Sequence, residues 1–198
     1  MSGQKPVTPD AEGIAAAAKA AGKEAGKRGG LPPVHLWNPP FCGDLDIRIA
    51  RDGAWYYLGT PFIRFELVKL FASILKLEGG KFYLVTPVEK VGITVEDAPF
   101  VAVDFDVAGQ GRDQVITFTT NIGDSAAAGP DHMIRAERDP ESGEPSPYVM
   151  IRAGLEALID RKSFYRLAEL SEHHEDWFGV WSGGKFFPLI PSAELDGD

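Results

Sequence analysis

The chain has a single cysteine, Cys42, in 198 residues. No internal disulfide can form, and a reducing compartment is the expectation. No apolar run approaches the roughly 20 residues that a membrane-spanning helix needs. The N-terminus has no signal-peptide-like apolar run either, only alanines broken by Lys and Gly. The cytoplasm is therefore the default expectation, with no membrane partner. Positive charge is also scarce: 20 Lys and Arg stand against 29 Asp and Glu, a net charge of −9. Nonspecific nucleic-acid binding needs clustered cations to neutralise phosphates, so it is excluded as a function. The first 30 residues hold five basic and three acidic side chains, which leaves the remainder at −11. There is no G-x-x-x-x-G-K-[ST] loop, no G-x-G-x-x-G after a strand and no G-x-S-x-G elbow. No catalytic motif is present, no cofactor is indicated, and a binding role is favoured over an enzymatic one.

What is there has the composition of a soluble globular protein, 44% hydrophobic and 25% charged. Residues 1–32 are rich in Ala, Gly and Lys, with Ile14 the one large apolar residue before Leu31, and read as a disordered tail. The Pro-rich stretch Leu31–Cys42 reads as a strap anchored by Trp37; a sharper alternative makes Trp37 and His35 one wall of a pocket. Asp46–Ile49 and Trp55–Leu58 form a hairpin around Arg51-Asp52-Gly53. Thr60-Pro61 signals a helix start, and the helix runs to about Lys76 with Leu67, Leu70, Phe71, Ile74 and Leu75 as its buried stripe. Lys81–Val107 alternates with period two and reads as the central antiparallel sheet of a domain, Ile93 and Val95 facing inward on one strand, Val101, Val103 and Phe105 on another. Further strands are expected at Val115–Thr119, Met133–Ala136 and Tyr148–Ile151. A helix capped by Asp160 follows over Arg161–Ser171, then a closing hairpin over Phe178–Ile190.

The two halves resemble each other. Ile47–Asp52 matches Ile134–Asp139, the helices pair Thr60 with Asp160, Leu67 with Leu167 and Leu70 with Leu170, and Gly79-Gly80-Lys81-Phe82 recurs as Gly183-Gly184-Lys185-Phe186. The offset drifts from 87 through 100 to 104, as loop insertions would produce, here at Asp139–Pro147 and Glu172–Trp177. The fold class expected is α+β: two tandem, internally duplicated domains, each an antiparallel sheet with one main helix. The boundaries expected are 33–122 and 123–198.

Two similar domains create a seam, a common place for a ligand. Arg64 and Arg161 are expected near the positive ends of their helices, with Arg152 and Lys90 able to converge on the same seam. Arginine's planar fork suits phosphate. Glu89 lies beside Lys90, and Tyr57, Trp37 and Tyr165 could stack on a base. The competing reading pairs Arg64 or Arg161 with Glu89 or Glu156 in salt bridges between the domains. Other candidates are weaker. His173-His174-Glu175-Asp176 lacks the i, i+4 spacing for shared metal ligation and reads as a solvated helix end. Glu89, Glu96, Asp97, Asp104 and Asp106 read as a wet strand face, and Cys42 as a small buried hydrophobe.

The run Thr86–Ala102 (TPVEKVGITVEDAPFVA), with DGAWYYLGTPFIR before it and RAGLEALIDRKSFYRL after it, resembles a proteobacterial family of uncharacterised proteins, domain of unknown function 1285. The resemblance covers roughly Pro33 to Ile190. It implies a duplicated α+β core, a second domain loosely like pleckstrin-homology folds, a nucleotide-like ligand between the domains, and a role in signalling. It carries over no catalytic residue. The function expected is a ligand-binding or regulatory protein for an anionic, nucleotide-like small molecule. The alternatives are a metal-assisted small-molecule hydrolase using the acidic strand residues, and an adaptor for a protein partner.

Overall fold

The computed structural model describes residues 9–27 and 30–195, which form two units, Met1–Glu96 and Asp97–Asp198. The division falls at the acidic turn Glu96-Asp97. The boundary expected at residue 122 lies instead in the tight turn between two paired strands of the second unit. The Lys81–Val107 stretch is accordingly not one sheet, because its strands belong to different units.

The first unit begins with α1 (Ala11–Gly26), where a disordered tail was expected. Asp10 caps it, its Oδ1 accepting from the Gly13 N–H at 2.8 Å. Ile14 and Ala18 are fully buried, with Ala11, Ala21 and Ala25 nearly so. An alanine stripe offers little apolar area per residue, but it lets a helix approach closely, and α1 packs against the next helix of the unit. The parts of the expected tail at residues 1–8 and 28–29 lie outside the described residues.

The sheet strands of this unit are β1 (Phe41–Ile49), β2 (Trp55–Tyr57), β3 (Thr60–Pro61), β4 (Leu75–Glu78), β5 (Lys81–Val85) and β6 (Lys90–Val95), in the order β3-β2-β1-β6-β5-β4. Helix α2 (Phe65–Ser73) sits between β3 and β4. Thr60-Pro61 therefore ends a strand meander and does not start a helix. The N-cap is Arg64, and the chain turns back into β4 after Ile74. Val68, Phe71 and Ala72 are the buried helix residues; Ile74 and Leu75 are buried beyond its end. Strand β6 pairs antiparallel with β5 and parallel with β1, so the sheet is mixed. One face carries Ile47, Ile49, Trp55, Leu84 and Val91, all buried. Trp55 stacks on Phe71 with centroids 6.4 Å apart, and Phe62 meets Phe71 edge-on at 5.7 Å.

The second unit holds β7 (Phe100–Ala108), β8 (Val115–Thr120), β9 (Ser125–Ala127), β10 (Ile134–Arg138), β11 (Pro145–Arg152) and β12 (Leu155–Ile159) in one sheet, ordered β10-β11-β12-β7-β8-β9. Helix α3 (Arg161–Glu169) follows, then β13 (Glu172–His174), β14 (Trp177–Ser182) and β15 (Lys185–Pro191) in a three-stranded sheet, and the short α4 (Ser192–Leu195). The small sheet is tied to the large one by buried polar contacts. The Ser182 hydroxyl donates to the Ala128 carbonyl at 2.8 Å and accepts from the Ile116 N–H at 2.9 Å. The sheet order does not by itself establish a pleckstrin-homology likeness.

The order three strands, helix, three strands recurs as β1-β2-β3-α2-β4-β5-β6 and β10-β11-β12-α3-β13-β14-β15, but β7–β9 have no counterpart in the first unit and β13–β15 form a sheet of their own. Both helices have nine residues, and α2 and α3 begin at Phe65 and Arg161, an offset of 96. Phe71 and Leu167, both fully buried, are then equivalent. The offset of 100 read from the sequence is four residues longer, close to one helical turn of about 3.6 residues. A slip of one turn keeps apolar residues on the same face, which is why the pattern misaligned without looking wrong. The Gly79-Gly80 and Gly183-Gly184 pairs both close hairpins with φ positive at each residue, 58° and 78° in the first, 57° and 74° in the second. Glycine enters this doubly left-handed turn at no steric cost; Leu58-Gly59 and Ala153-Gly154 make the same turn with a non-glycine residue first, at φ 49° and 46°.

Candidate functional site

The residues of interest divide between the units. In the first, Lys90 lies on β6 with Glu89 just before it. Lys90 Nζ donates to Glu78 Oε1 at 2.9 Å and sits 5.0 Å from the Tyr83 ring centroid. Glu78 also pairs with Lys76 at 3.2 Å. Hydrogen bonds from Lys90 first and Lys76 second hold the Glu78 carboxyl below its ordinary range. Lys76 Nζ in turn donates to the Trp37 carbonyl at 3.4 Å. Trp37 and Lys90 are thus joined through Lys76 and Glu78. Glu89 is half-buried; burial, then the nearby Asp10 charge, push its carboxyl up. Tyr57 does not join them. It is paired with Ile47 on the apolar side of the sheet and stacks on Phe62 at 6.3 Å. Arg64 is exposed at the N-cap of α2, not inside the helix.

In the second unit, Arg161 is the first residue of α3, exposed and 4.0 Å from Glu144. The Asp160 side chain accepts from the Ser163 N–H at 2.7 Å, so a protein carboxylate already occupies this helix start. Arg152 pairs with Asp124 and lies 5.0 Å from the Phe100 ring centroid. Tyr165 is 62% exposed on α3. Glu156 is bound bidentately by Arg135, at 2.7 and 2.6 Å, and not by Arg64 or Arg161. Arg135 stands 4.4 Å over Tyr148, as Arg48 stands 4.3 Å over Tyr56 in the first unit. In both hairpins the Arg and Tyr are cross-strand partners, so the duplication extends to this stacking.

Of the acidic and histidine candidates, Glu96, Asp97, Asp104, His173 and His174 are engaged by other side chains. Glu96 pairs with Arg48, Asp97 accepts from the Tyr148 hydroxyl at 2.7 Å, and Asp104 pairs with Arg166. His173 and His174 lie on β13 and not at a helix end. His173 Nδ1 is 2.9 Å from Ser192 Oγ, and His174 packs against Trp181 and Phe186 with centroids 5.0 and 4.8 Å away. Among the described residues, no group of three His, Cys, Asp or Glu could hold a metal. Cys42 is exposed on β1 and not buried.

A concave site is present on the polar face of the first unit's sheet. It has a volume of about 530 Å³ and is lined by Phe41, Asp44, Leu45 and residues 80–83 and 92–95, within the size range of small-molecule pockets. Its geometry comes from an irregularity in β1. Phe41 pairs with Lys90 and Asp44 with Gly92, so three steps on β1 oppose two on β6. Gly43, with φ 104°, supplies the bulge. Residues spaced by three would ordinarily face opposite sides of a strand; here Phe41 and Asp44 both come to the polar face. Phe41 meets Tyr83 edge-on, centroids 6.0 Å apart, giving two perpendicular aromatic walls. Gly92 makes the floor. A Cβ there would run into Asp44 Oδ1 and come within 3.7 Å of the Phe41 ring. The exposed Lys81 stands at the rim beside Gly80.

Family models match the chain in two adjoining segments: "Domain of unknown function (DUF1285), N-terminal domain" over residues 32–98, and "Protein of unknown function (DUF1285), C-terminal domain" over 99–189. The chain belongs to the DUF1285 family. Helix α1 precedes both DUF1285 segments. A DUF1285 family protein from Silicibacter pomeroyi DSS-3 is similar over 92% of this chain and 97% of its own, at 63% identity and TM-score 0.85. Another from Shewanella baltica OS155 is similar over 63% of this chain and 91% of its own, at 31% identity and TM-score 0.50. No curated protein matches. No helix among the described residues is long and apolar enough to cross a membrane.

Sequence reasoning missed Phe41, Asp44, Lys81, Tyr83 and Gly92 as a group. The available signal was Gly92 itself, a glycine inside the alternating run Val91–Val95, which points to a bulge or a close approach. Nothing in the sequence says which side chain approaches.

Proposed function

We propose that this DUF1285 protein is a ligand-binding, regulatory protein, and that its N-terminal unit takes an anionic, nucleotide-like small molecule in the pocket over Gly92. The observation that carries the reading is the pairing of walls and charge there. Two aromatic rings stand at a right angle, and Asp44 and Lys81 contribute charged groups with no hydrogen-bond or ion-pair partner among the described residues. A planar heterocycle can stack on one ring and meet the edge of the other. An anionic tail reaching the rim meets Lys81. Lys90, Lys76 and Glu78 form the neighbouring charge network that fixes Tyr83 from one side.

Charge supports placing an anion on this unit. Residues 97–198 carry 8 basic and 19 acidic side chains, a net −11, whereas residues 1–96 carry 12 basic and 10 acidic, a net +2. An anion approaching Arg152 or Arg161 would also compete with Asp124 or Glu144. The hydrolase alternative gains no support, since Glu96, Asp97 and Asp104 are occupied by Arg48, Tyr148 and Arg166.

The test is a thermal-shift screen of the full chain against nucleoside mono-, di- and cyclic phosphates, repeated with Lys81→Ala. A ligand at 100 times its Kd stabilises by about 2.7 kcal/mol, about 5–10 °C for a chain of this size. A shift with one nucleotide class that shrinks in the variant supports the reading. No shift with any nucleotide counts against it.

A further inference from the structure

We infer, on the basis of the function proposed above, that the pocket over Gly92 selects a guanine-type base, one whose edge presents two adjacent N–H donors. The inference rests on what stands at the pocket floor. Asp44 lines the pocket as an exposed side chain, its Oδ1 against the position a Cβ would take at Gly92, and it has no hydrogen-bond or ion-pair partner among the described residues. An ionised carboxylate only accepts hydrogen bonds, through two oxygens spaced to receive a parallel pair. The guanine edge offers such a pair, the ring N–H and the exocyclic amine. Adenine offers one donor next to an acceptor, and that acceptor lone pair would face a carboxylate oxygen. Hypoxanthine keeps the ring N–H and loses the amine.

The walls fit the same ligand. A base lying on Phe41 touches Tyr83 with its edge, because the two rings are 84° apart. The far end of the ligand is set by strand geometry. Tyr83 pairs with Gly92 and Gly92 with Asp44, and Lys81 stands two residues along β5 from Tyr83. With strands about 4.8 Å apart and about 3.3 Å per residue, the Asp44 and Lys81 backbones are on the order of 10 Å apart. That separation suits a base held at one end and a phosphate at the other. A donor pair of the same kind exists in a guanidinium group, so arginine shares the chemistry at Asp44 but brings no ring for the aromatic walls.

The experiment is calorimetric titration of the full chain with the monophosphates of guanosine, adenosine, inosine and xanthosine, and with arginine, on the parent and on Asp44→Asn. In the parent, the guanosine compound should bind about tenfold or more tighter than the adenosine and inosine compounds, as expected for a bidentate pair. Asp44→Asn replaces one acceptor by a donor. It should lose that advantage and gain affinity for the xanthosine compound, whose carbonyl stands where guanine has its amine. A gain of binding can come only from folded protein, so it separates altered specificity from damage. Equal affinity for guanosine and adenosine compounds in the parent overturns the inference while leaving the nucleotide reading standing. Binding of arginine in preference to every nucleotide overturns it in favour of a guanidinium ligand. Absence of binding by all of these probes overturns both.

Discussion

Asp44 rests on Gly92, its Oδ1 occupying the space that any side chain at position 92 would need. The contact exists because the bulge at Gly43 brings Asp44 onto the polar face opposite Gly92 in the register of β1 and β6. A residue with no side chain and a carboxylate with no protein partner therefore share one spot in the sheet. Gly92→Ala should displace Asp44 and narrow the pocket floor. The outcome expected is at least tenfold weaker nucleotide binding with little change in melting temperature, since alanine is the better strand residue by a fraction of about 1 kcal/mol. Calorimetry and a melting curve on the same sample check both halves.

The buried faces of the two helices give a matched pair of stability tests. Phe71 and Leu167 are equivalent in the duplication and both fully buried. Phe71→Ala removes a ring that meets Trp55 and Phe62 and should cost about 3–5 kcal/mol; Leu167→Ala should cost about 2–5 kcal/mol. Urea denaturation followed by tryptophan fluorescence measures both.

Helix α1 is held chiefly by Ile14, the one large side chain it buries completely. Ile14→Ala should cost about 2–4 kcal/mol, because the side chain is fully buried where α1 packs on α2. An exposed site on the same helix, Lys19→Ala, should change stability by less than about 0.5 kcal/mol. Hydrogen exchange over residues 11–26 would report the loosening directly.

Glu89 sets a pH dependence whose sign follows from its environment. Burial and then Asp10 raise its folded carboxyl above the ordinary value of 4.5. The proton is bound more tightly in the folded chain, so this contribution is complete below the unfolded value and is lost as pH rises through the folded one. Glu89→Gln stays neutral throughout. It should match the parent near about pH 4 and be the more stable of the two near about pH 7. Equal stability of parent and variant at both pH values would contradict the assignment. Asp104 works in the opposite sense. Its bond from Arg166, then the Phe105 N–H, lowers it from 3.8, so its contribution is present above that value and fades as pH falls through the lowered one.

The N-cap of α3 supplies a further check. Asp160 accepts from the Ser163 N–H, and Asp160→Ala should destabilise by about 1 kcal/mol, with Asp160→Ser recovering most of it.

Local chemistry in the sequence determined a good part of this molecule. Gly-Gly pairs mark two hairpin turns because glycine meets their positive φ at no steric cost. Asp160 marks the start of α3 because its carboxylate can reach the free N–H groups there. Period-two alternation marks most of the strands, and the repeated order of these signals reveals the duplication. Tertiary structure decided the rest, because the deciding forces are not local. The alanine stripe of α1 has too little apolar surface to predict a buried helix, and it becomes one by packing on α2. Thr60-Pro61 satisfies the rules for a helix start, yet pairing with β2 makes it a strand. The Lys81–Val107 alternation is continuous along the chain, but Glu96-Asp97 divides it between two units. The pocket is the furthest from the sequence of all. It needs a bulge in β1 and the parallel register of β1 with β6 to bring Phe41 and Asp44 over Gly92, and pairing of strands some 50 residues apart is set by the whole sheet.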